Sequence, residues 1–219
     1  QPLNTQLLCL GGTAEALLIA ISGGAGSPSY QWYLNTTNTN TGGSLISGAT
    51  AASYTPPVFT STGTFYYYVD VSYVASGCAG LVSTVSEVVV VDDPIFDLQA
   101  LDFQSLCENA DVQDLVVSVS GGLGTLSYQW YVNTVNTTTT GTAITGATLT
   151  TFTPPSTPVG TLFYYAVATQ DVSGCEVTSA ISEVEVNAGA QLSAQPISDE
   201  LCLGESTNTL AVAFTNGTG

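Results

Sequence analysis

The chain has 219 residues, with 17 Asp plus Glu, no Lys, Arg, His or Met, and a formal net charge of −17. Ordinary globular proteins carry about 25% charged residues of both signs, so the lack of cations excludes binding to nucleic-acid phosphates and to anionic membrane surfaces. Without His or Lys the chain has no ordinary general base near neutrality and no imidazole ligand, and we expect no enzyme. Hydrophobic residues make up 44% of the chain, which is enough to build a core.

An internal repeat of about 95 to 98 residues organises the chain. Five motifs of the first copy return in the same order in the second: Ser-Tyr-Gln-Trp-Tyr at 29–33 and 127–131, Gly-Ala-Thr at 48–50 and 146–148, Thr-Pro-Pro at 55–57 and 153–155, Ser-Gly-Cys at 76–78 and 173–175, and Ser-Glu-Val at 86–88 and 182–184. A third copy begins with Leu-Cys-Leu-Gly at 201–204, which matches 8–11. These matches predict repeat one over 1–93, repeat two over 94–189, and the start of a truncated third repeat over 190–219.

Within each repeat the apolar pattern has a period of two, which predicts half-buried β-strands. In repeat one the pattern begins with Leu17, Ile19 and Ile21, and a second strand over 30–34 points Trp32 inward. A third strand runs over 65–73, and turn clusters rich in Gly, Thr and Asn separate the strands. No segment has a helical period. Many short strands in each repeat predict an all-β fold of tandem immunoglobulin-like β-sandwich domains with Greek-key connections.

The last strand differs between the two repeats. In repeat two, Glu-Val-Glu-Val at 183–186 alternates and predicts one solvated face. In repeat one the four consecutive valines at 88–91 do not alternate. They indicate either a strand covered on both faces or an adhesive edge strand through which copies of the chain assemble laterally.

Five cysteines occupy equivalent places in the copies: Cys9 and Cys78 in repeat one, Cys107 and Cys175 in repeat two, and Cys202 in the partial third. Each pair flanks a Trp, and in a sandwich the start of an early strand lies opposite the end of a late one. The spacing therefore predicts one disulfide per repeat, with Cys9 paired to Cys78, Cys107 paired to Cys175, and Cys202 unpaired in this chain. Such bonds indicate an oxidising compartment.

The series of motifs also resembles a known class of repeats. Gln-Trp-Tyr, a Thr/Asn/Gly loop, Ile-Ser-Gly-Ala-Thr at 46–50, Tyr-Thr-Pro-Pro at 54–57, Gly-Thr-Phe-Tyr-Tyr-Tyr-Val at 63–69 and Ser-Gly-Cys at 76–78 are similar to the immunoglobulin-like repeats of large secreted surface proteins of Bacteroidota. Giant adhesins linked to gliding motility belong to this class. The resemblance implies a multi-repeat extracellular polypeptide that is exported by type IX secretion and attached to the cell surface outside these residues.

Acidic residues concentrate where the two repeats meet. Seven of the 17 lie within 92–114, and they include Asp92, Asp93, Asp97 and Asp102. Because Ca²⁺ prefers hard oxygen ligands, these four are candidate calcium ligands that stiffen the junction, as in cadherin-like arrays. The alternative is that the carboxylates only solvate a linker. We expect no other cofactor.

Tyrosines supply a second candidate site. On the strand over 65–73, one face carries Phe65, Tyr67 and Val69, and the other carries Tyr66 and Tyr68. Together with Tyr33, the outward-facing tyrosines are a possible surface for stacking on sugar rings. The alternative is that they cover the outer sheet, and Trp32 and Trp130 are expected in the core.

The sequence therefore predicts a non-catalytic stalk or filament segment of a large extracellular cell-surface adhesin, whose partners are the neighbouring repeats of the same chain. One alternative is a module that binds a surface polysaccharide. Another is a filament subunit that binds copies of itself through the edge at 88–91. Direct membrane insertion is not expected, because the sequence has no apolar run near 18 residues.

Overall fold

The computed structural model describes residues 5–23, 26–73, 79–196, 198, 200–206 and 209–216. Within these ranges every regular element is a β-strand. The strands of repeat one are β1 Gln6–Cys9, β2 Leu17–Leu18, β3 Pro28–Asn35, β4 Ser44–Leu45, β5 Ser53–Tyr54, β6 Gly63–Tyr73, β7 Leu81–Val82 and β8 Ser86–Val91.

Repeat two begins with β9, and the two last strands lie in the third copy. The strands of repeat two are β9 Ile95–Leu98, β10 Phe103–Cys107, β11 Leu115–Val116, β12 Ser118–Ser120, β13 Leu126–Asn133, β14 Thr142–Ala143, β15 Thr151–Phe152, β16 Gly160–Gln170, β17 Glu176–Thr178 and β18 Ser182–Asn187. Strands β19 Gln191–Ala194 and β20 Ala213–Thr215 follow and pair with each other, as β9 and β12 do in repeat two.

The same sheet is built twice. In repeat one its order is β1-β8-β6-β3-β4, with β7 added to β6; in repeat two it is β10-β18-β16-β13-β14, with β17 added to β16. In each sheet the first strand, β1 or β10, runs parallel to its neighbour, β8 or β18. That neighbour pairs antiparallel with the long strand, β6 or β16. A second layer consists of β2 with β5 in repeat one and of β11 with β15 in repeat two. The fold is therefore all-β, with two immunoglobulin-like domains in tandem, as the sequence predicts.

A core fills the space between the two layers of each repeat. Trp32 and Trp130 have no exposed surface, and they pack with Leu17 and Leu115 of the second layer. The predicted inward face of the long strand is confirmed, because Tyr67, Val69 and Val71 belong to the first core. The period-two pattern thus gives the correct inner face of these strands.

The valine strand is a central strand of its sheet. Strand β8 pairs on one side with β1, through Gln6 opposite Val88, and on the other side with β6. Val88 and Val90 are buried in the core, whereas Val89 and Val91 are half-buried. The prediction of an edge strand for lateral assembly is therefore wrong, because both rows of backbone hydrogen-bonding groups are already occupied. The other interpretation, a strand covered on both faces, is met on the core face by Val88 and Val90 and only in part on the other face by Val89 and Val91.

The chain divides into two compact units. One contains Gln1–Ile95, Val119–Ser127 and Ala168–Val177, and the other contains Phe96–Ser118, Tyr128–Val167 and Thr178–Gly219. Two loops of repeat two therefore belong to the first unit. The repeat boundaries at 93 and 189 stay predictions from the sequence motifs.

Candidate functional site

The first cysteine of repeat one lies at the end of β1, where the chain leaves the sheet. The amide of Leu10 donates to the carbonyl oxygen of Val91 at 3.0 Å, which extends the parallel pairing by one bond. A tight turn follows, in which Gly11 has a φ of 78°. Glycine adopts this left-handed conformation without steric cost. The turn fixes the direction in which Cys9 leaves the strand.

The second cysteine of repeat two lies in a loop that closes on the end of β16. The amide of Gln170 donates to the carbonyl oxygen of Cys175 at 3.0 Å, and the amide of Gly174 donates to the carbonyl oxygen of Gln170 at 2.9 Å. The Ser173 hydroxyl donates to Gln170 Oε1 at 3.0 Å. These bonds hold Cys175, which has no exposed surface, beside the end of the strand.

Cys9 and Cys175 form a disulfide with a Cα–Cα distance of 5.6 Å and a sequence separation of 166 residues. Both cysteines belong to the first compact unit. The prediction that Cys9 pairs with Cys78 and Cys107 with Cys175 is wrong, because Cys9 and Cys175 bond to each other. Cys107 and Cys202 are free and exposed, and Cys78 lies outside the described residues.

The strand registers explain why repeat two cannot close its own disulfide. Cys107 pairs with Asn187, beside the position where Gly160 pairs with Val186, so Cys107 lies at the start of β16. Cys175 lies beside Gln170, at the far end of that 11-residue strand. A strand rises about 3.3 Å per residue, so the strand is about 33 Å long. Disulfides need Cα atoms within about 7 Å, and this pair cannot meet.

A carboxylate accompanies the disulfide. The two sulfur atoms and one carboxylate oxygen of Asp93 all lie within 4.8 Å of one another. Within the described part of the chain, no other three Cys, Asp or Glu side chains approach this closely. Two of these ligand atoms are already bonded to each other as a disulfide, which is a poor metal ligand compared with thiolate.

The predicted calcium ligands are all exposed, and the structure does not bring Asp92, Asp93, Asp97 and Asp102 together as a group of three. The backbone carbonyl of Asp102 accepts a hydrogen bond from the amide of Glu183 at 2.8 Å, so part of this segment is fixed to β18. Calcium binding at the junction stays a prediction.

The tyrosine surface is largely covered by the protein itself. Tyr33 and Tyr68 stack on each other with ring centroids 5.0 Å apart and an angle of 6° between the ring planes. Tyr68 is only 4% exposed, because the loop before β4 covers it and the amide of Gly43 donates to its hydroxyl at 3.0 Å. Tyr68 therefore lies on the face opposite the core residues but is not exposed, which contradicts its predicted role in stacking on a ligand. Tyr33 and Tyr66 are half-buried, and their role stays a prediction.

The Thr/Asn-rich loop after β3 forms hydrogen bonds with itself. The Asn35 amide nitrogen donates to the carbonyl oxygens of Thr39 and Thr41 at 3.0 and 3.1 Å, and its side-chain oxygen accepts from the amide of Thr36 at 2.8 Å. Asn133 closes the equivalent loop of repeat two by donating to the carbonyl oxygen of Thr137 at 3.0 Å. These two asparagines therefore act mainly as structural supports of the loop.

Each repeat contains one buried serine that the sequence interpretation missed, and the two serines occupy equivalent positions. The Ser83 hydroxyl accepts from the amide of Val69 at 3.0 Å, and the Ser179 hydroxyl accepts from the amide of Ala166 at 2.9 Å. Each serine also donates its own amide to the carbonyl of the same partner. Both serines lie three residues before the repeated Ser-Glu-Val motif, at 86–88 and 182–184, and this equivalent position is the sequence signal that could have revealed them.

The repeated topology and the buried Trp define a tandem immunoglobulin-like module. The chain belongs to the family described as Domain of unknown function (DUF8696), which matches residues 3–92 and again residues 99–188. A comparison with the curated proteins finds no match.

Several solved structures are similar to the chain at low identity. The fibronectin(III)-like modules of Clostridium thermocellum CbhA are 14% identical over 85% of this chain and 92% of that chain, with a TM-score of 0.44. An I-band fragment from titin is 14% identical over 88% and 66%, with a TM-score of 0.46. Sidekick-1 immunoglobulin domains 1–5 are 17% identical over 89% and 41%, with a TM-score of 0.35. The chain thus spans less than two thirds of the titin and Sidekick-1 chains.

The described residues contain no helix that is long and apolar enough to span a membrane. The disulfide is typical of proteins that fold in an oxidising compartment, such as secreted proteins.

Proposed function

We propose that the chain is a non-catalytic structural segment of a large extracellular cell-surface adhesin, in which tandem domains extend the molecule. One observation carries this proposal: the two repeats share the side-chain bonds that hold their interiors, whereas the candidate residues Tyr66, Asp92 and Asp93 of repeat one are not kept in repeat two. Repeats that only maintain the architecture must keep the same interior bonds, but they do not need the same surface side chains in every copy.

The shared interior bonds have matching partners and distances. Trp32 Nε1 donates to the carbonyl oxygen of Ala51 at 2.9 Å, and Trp130 Nε1 donates to that of Leu149 at 2.8 Å. Gln31 Nε2 donates to the carbonyl oxygen of Ile46 at 2.8 Å, as Gln129 Nε2 does to that of Ile144 at the same distance. Buried or partly buried polar groups need such partners, so both copies have kept the same interior.

The surfaces differ between the repeats at several of the candidate positions. Tyr66 is replaced by Phe163. Asp92 and Asp93 after β8 are replaced by Ala188 and Gly189 after β18. A site built on these side chains in repeat one cannot be reproduced in repeat two, which favours an architectural role for the repeated unit.

The composition supports the absence of catalysis. The chain contains no His, Lys or Arg, so hydroxyl or thiol nucleophiles have no imidazole or amine base to activate them. The negative charge also keeps long arrays from associating with each other.

The proposal is tested by replacing residues 1–189 within the native surface protein. One variant lacks these residues, and a second carries two unrelated immunoglobulin-like domains of the same combined length. Immunogold labelling measures the distance from the cell to a tag beyond the replaced segment, and adhesion is measured on the same cells. We expect the deletion to shorten the distance and the unrelated domains to restore both distance and adhesion. Loss of adhesion despite restored distance would reject a purely structural role.

A carbohydrate-binding module is the second candidate, because both repeats carry an equivalent groove. In repeat one a groove of about 460 Å³ is lined by residues 5–8 and 15–18. In repeat two a groove of about 450 Å³ lies beside β10 and is lined by residues that include Phe103, Asp111 and Gln113. A glycan array with the full chain tests this function. Binding that Glu15→Ala and Asp111→Ala both abolish would favour it over the structural role.

A further inference from the structure

The first cysteine of every copy lies on the same turn. In all three copies its carbonyl oxygen accepts a hydrogen bond from the amide three residues later: Gly12 to Cys9 at 2.9 Å, Ala110 to Cys107 at 3.0 Å and Glu205 to Cys202 at 3.1 Å. The residue two positions after each cysteine has a positive φ: 78° at Gly11, 64° at Asn109 and 99° at Gly204. The same backbone conformation therefore presents the thiol at the same place in each copy.

Only the first of these three cysteines has its partner within the described chain. Cys9 bonds to Cys175, the second cysteine of the next repeat, whereas Cys107 and Cys202 are free and exposed. Cys107 cannot reach Cys175 of its own repeat, because the two lie at opposite ends of β16, about 33 Å apart. A disulfide at Cys107 therefore needs a cysteine from another repeat, as the bond between Cys9 and Cys175 does.

We propose that disulfides in arrays of this repeat connect each repeat to the next, with the first cysteine of one repeat bonded to the second cysteine of the repeat that follows it. This rule assigns Cys107 to the equivalent of Cys175 in a following repeat. The pairing applies to any array of these repeats and does not depend on the proposed stalk function.

Bond formation requires an oxidant of the disulfide class, such as oxidised glutathione or a disulfide oxidoreductase. The Cys107 thiolate attacks the oxidant's disulfide, forms a mixed disulfide and releases one thiol. The partner cysteine's thiolate then attacks the Cys107 sulfur and releases the second thiol. Two protein thiols are thereby oxidised to one disulfide, and the oxidant's disulfide is reduced to two thiols.

The rule has a mechanical consequence. The loop closed by Cys9 and Cys175 contains Cys107, so it overlaps the loop that Cys107 closes with the following repeat. Every junction between repeats then lies inside at least one closed loop, and a single backbone cut between two bonded repeats leaves the array connected. Bonds confined to single repeats would leave the segment between Cys78 and Cys107 outside any loop.

The observed bond is tested with a single engineered cleavage site. Because the chain has no Lys or Arg, Leu101→Arg creates a unique trypsin site at an exposed position near the start of repeat two, inside the loop that Cys9 and Cys175 close. Free thiols are first blocked with N-ethylmaleimide, and the denatured chain is then digested. We expect residues 1–101 and 102–219 to migrate together without reductant and to separate with it. Separation without reductant would overturn the proposal.

A matched control places the site outside the loop. Leu192→Arg cleaves at another exposed position, after Cys175, and should release residues 193–219 with or without reductant. Retention of that fragment would mean that Cys202 is bonded within the chain, which would also contradict the rule.

The assignment of Cys107 is tested in a longer chain, in which a second copy of residues 94–189 is inserted after residue 189. With Leu101→Arg in the inserted copy only, the cut lies after the eighth residue of that copy, between Cys107 and the inserted copy's equivalent of Cys175. We expect the fragments to stay joined without reductant, through Cys107 and the inserted copy's equivalent of Cys175. Separation, or mass-spectrometric detection of Cys107 bonded to Cys175 of its own repeat, would overturn the proposal. Detection of N-ethylmaleimide on Cys107 in the longer chain would do the same.

Discussion

The interior of the two repeats and the positions of their cysteines follow different rules. Inside each sandwich, repeat two reproduces repeat one bond for bond, from the Trp indole to the Gln side chain. At the cysteines the equivalence ends, because Cys9 is bonded and Cys107 is free. Interior positions depend only on their own repeat, whereas the state of a cysteine depends on whether another repeat supplies its partner. The five predictions below test this difference.

The largest effect is expected from the cysteines. Cys9→Ser removes a bond that closes a 166-residue loop, which on the chain-entropy model contributes about 5 kcal/mol. Cys107→Ser removes an exposed free thiol and should change the free energy of unfolding by less than about 0.5 kcal/mol. Urea unfolding of both variants measures the contrast. Equal effects of the two substitutions would remove the distinction between bonded and free positions.

The core tryptophans should be nearly as important, and equally so in both repeats. Trp32→Ala and Trp130→Ala each remove a side chain with no exposed surface, at a cost of about 3–5 kcal/mol. Both also leave a backbone carbonyl without its indole donor. Unfolding followed by circular dichroism should show similar losses. A loss in one repeat only would contradict the equivalence of the interiors.

The glutamines beside the tryptophans give a smaller test of the same equivalence. Gln31 Nε2 donates to the carbonyl oxygens of Trp32 and Ile46 at 2.9 and 2.8 Å, and Gln129 makes the matching pair of bonds. Gln31→Ala removes two hydrogen bonds of about 0.5–1.5 kcal/mol each, although both carbonyls keep a backbone donor, the amide of Ile46 for Trp32 and the amide of Ala49 for Ile46. Gln129→Ala should cost the same within about 0.5 kcal/mol. Thermal unfolding of the two variants makes the comparison.

Asp70 and Val167 occupy equivalent positions with different chemistry. Burial raises the pKa of the Asp70 carboxyl above its ordinary value, and Oδ1 is buried with no hydrogen-bond partner. Because the folded-state pKa is raised, the ionised form destabilises the fold at pH values above that pKa. The penalty disappears as the pH falls through the folded-state pKa and the folded chain binds the proton. Asp70→Val should therefore stabilise by about 1 kcal/mol at pH 7 and by less at pH 4.

The reciprocal substitution provides the control. Val167→Asp should destabilise repeat two at pH 7 and recover as the pH falls, because it places a carboxylate at the half-buried equivalent position. Urea unfolding at pH 7 and pH 4 measures both variants. A gain from Asp70→Val that is equal at the two pH values would mean that the ionisation of Asp70 does not cause the effect.

The sequence predicted the interior of the fold better than its connections. Trp32, Tyr67 and Val69 are in the core as expected, because a period of two places alternate residues on one face. The four valines do not alternate, so the sequence could not distinguish a central strand from an edge, and only the pairing with β1 and β6 decides. Tyr68 alternates with the core residues, so the pattern places it on the outer face of the strand. The loop that contains Gly43 nevertheless covers it, and the Gly43 amide donates a hydrogen bond to its hydroxyl.

The disulfide pairing could not be predicted from spacing for a related reason. Spacing within one repeat shows that two cysteines flank a Trp, but it does not show at which end of the sandwich each one lies. The parallel pairing of β10 with β18 places Cys107 beside the start of β16, far from Cys175. That pairing joins residues about 80 apart in sequence, and no local pattern specifies it.

The smallest effect concerns the carboxylate beside the disulfide, which has no counterpart after β18. An Asp93 oxygen lies within 4.8 Å of both sulfur atoms, so its negative charge should repel an attacking thiolate. Asp93→Asn is expected to speed reduction by dithiothreitol about two- to fourfold at low ionic strength. The difference should vanish in 1 M NaCl, where the Debye length is about 3 Å. Asp92→Asn is the matched control, and an equal acceleration by that variant would show that overall charge, and not the position of Asp93, sets the rate.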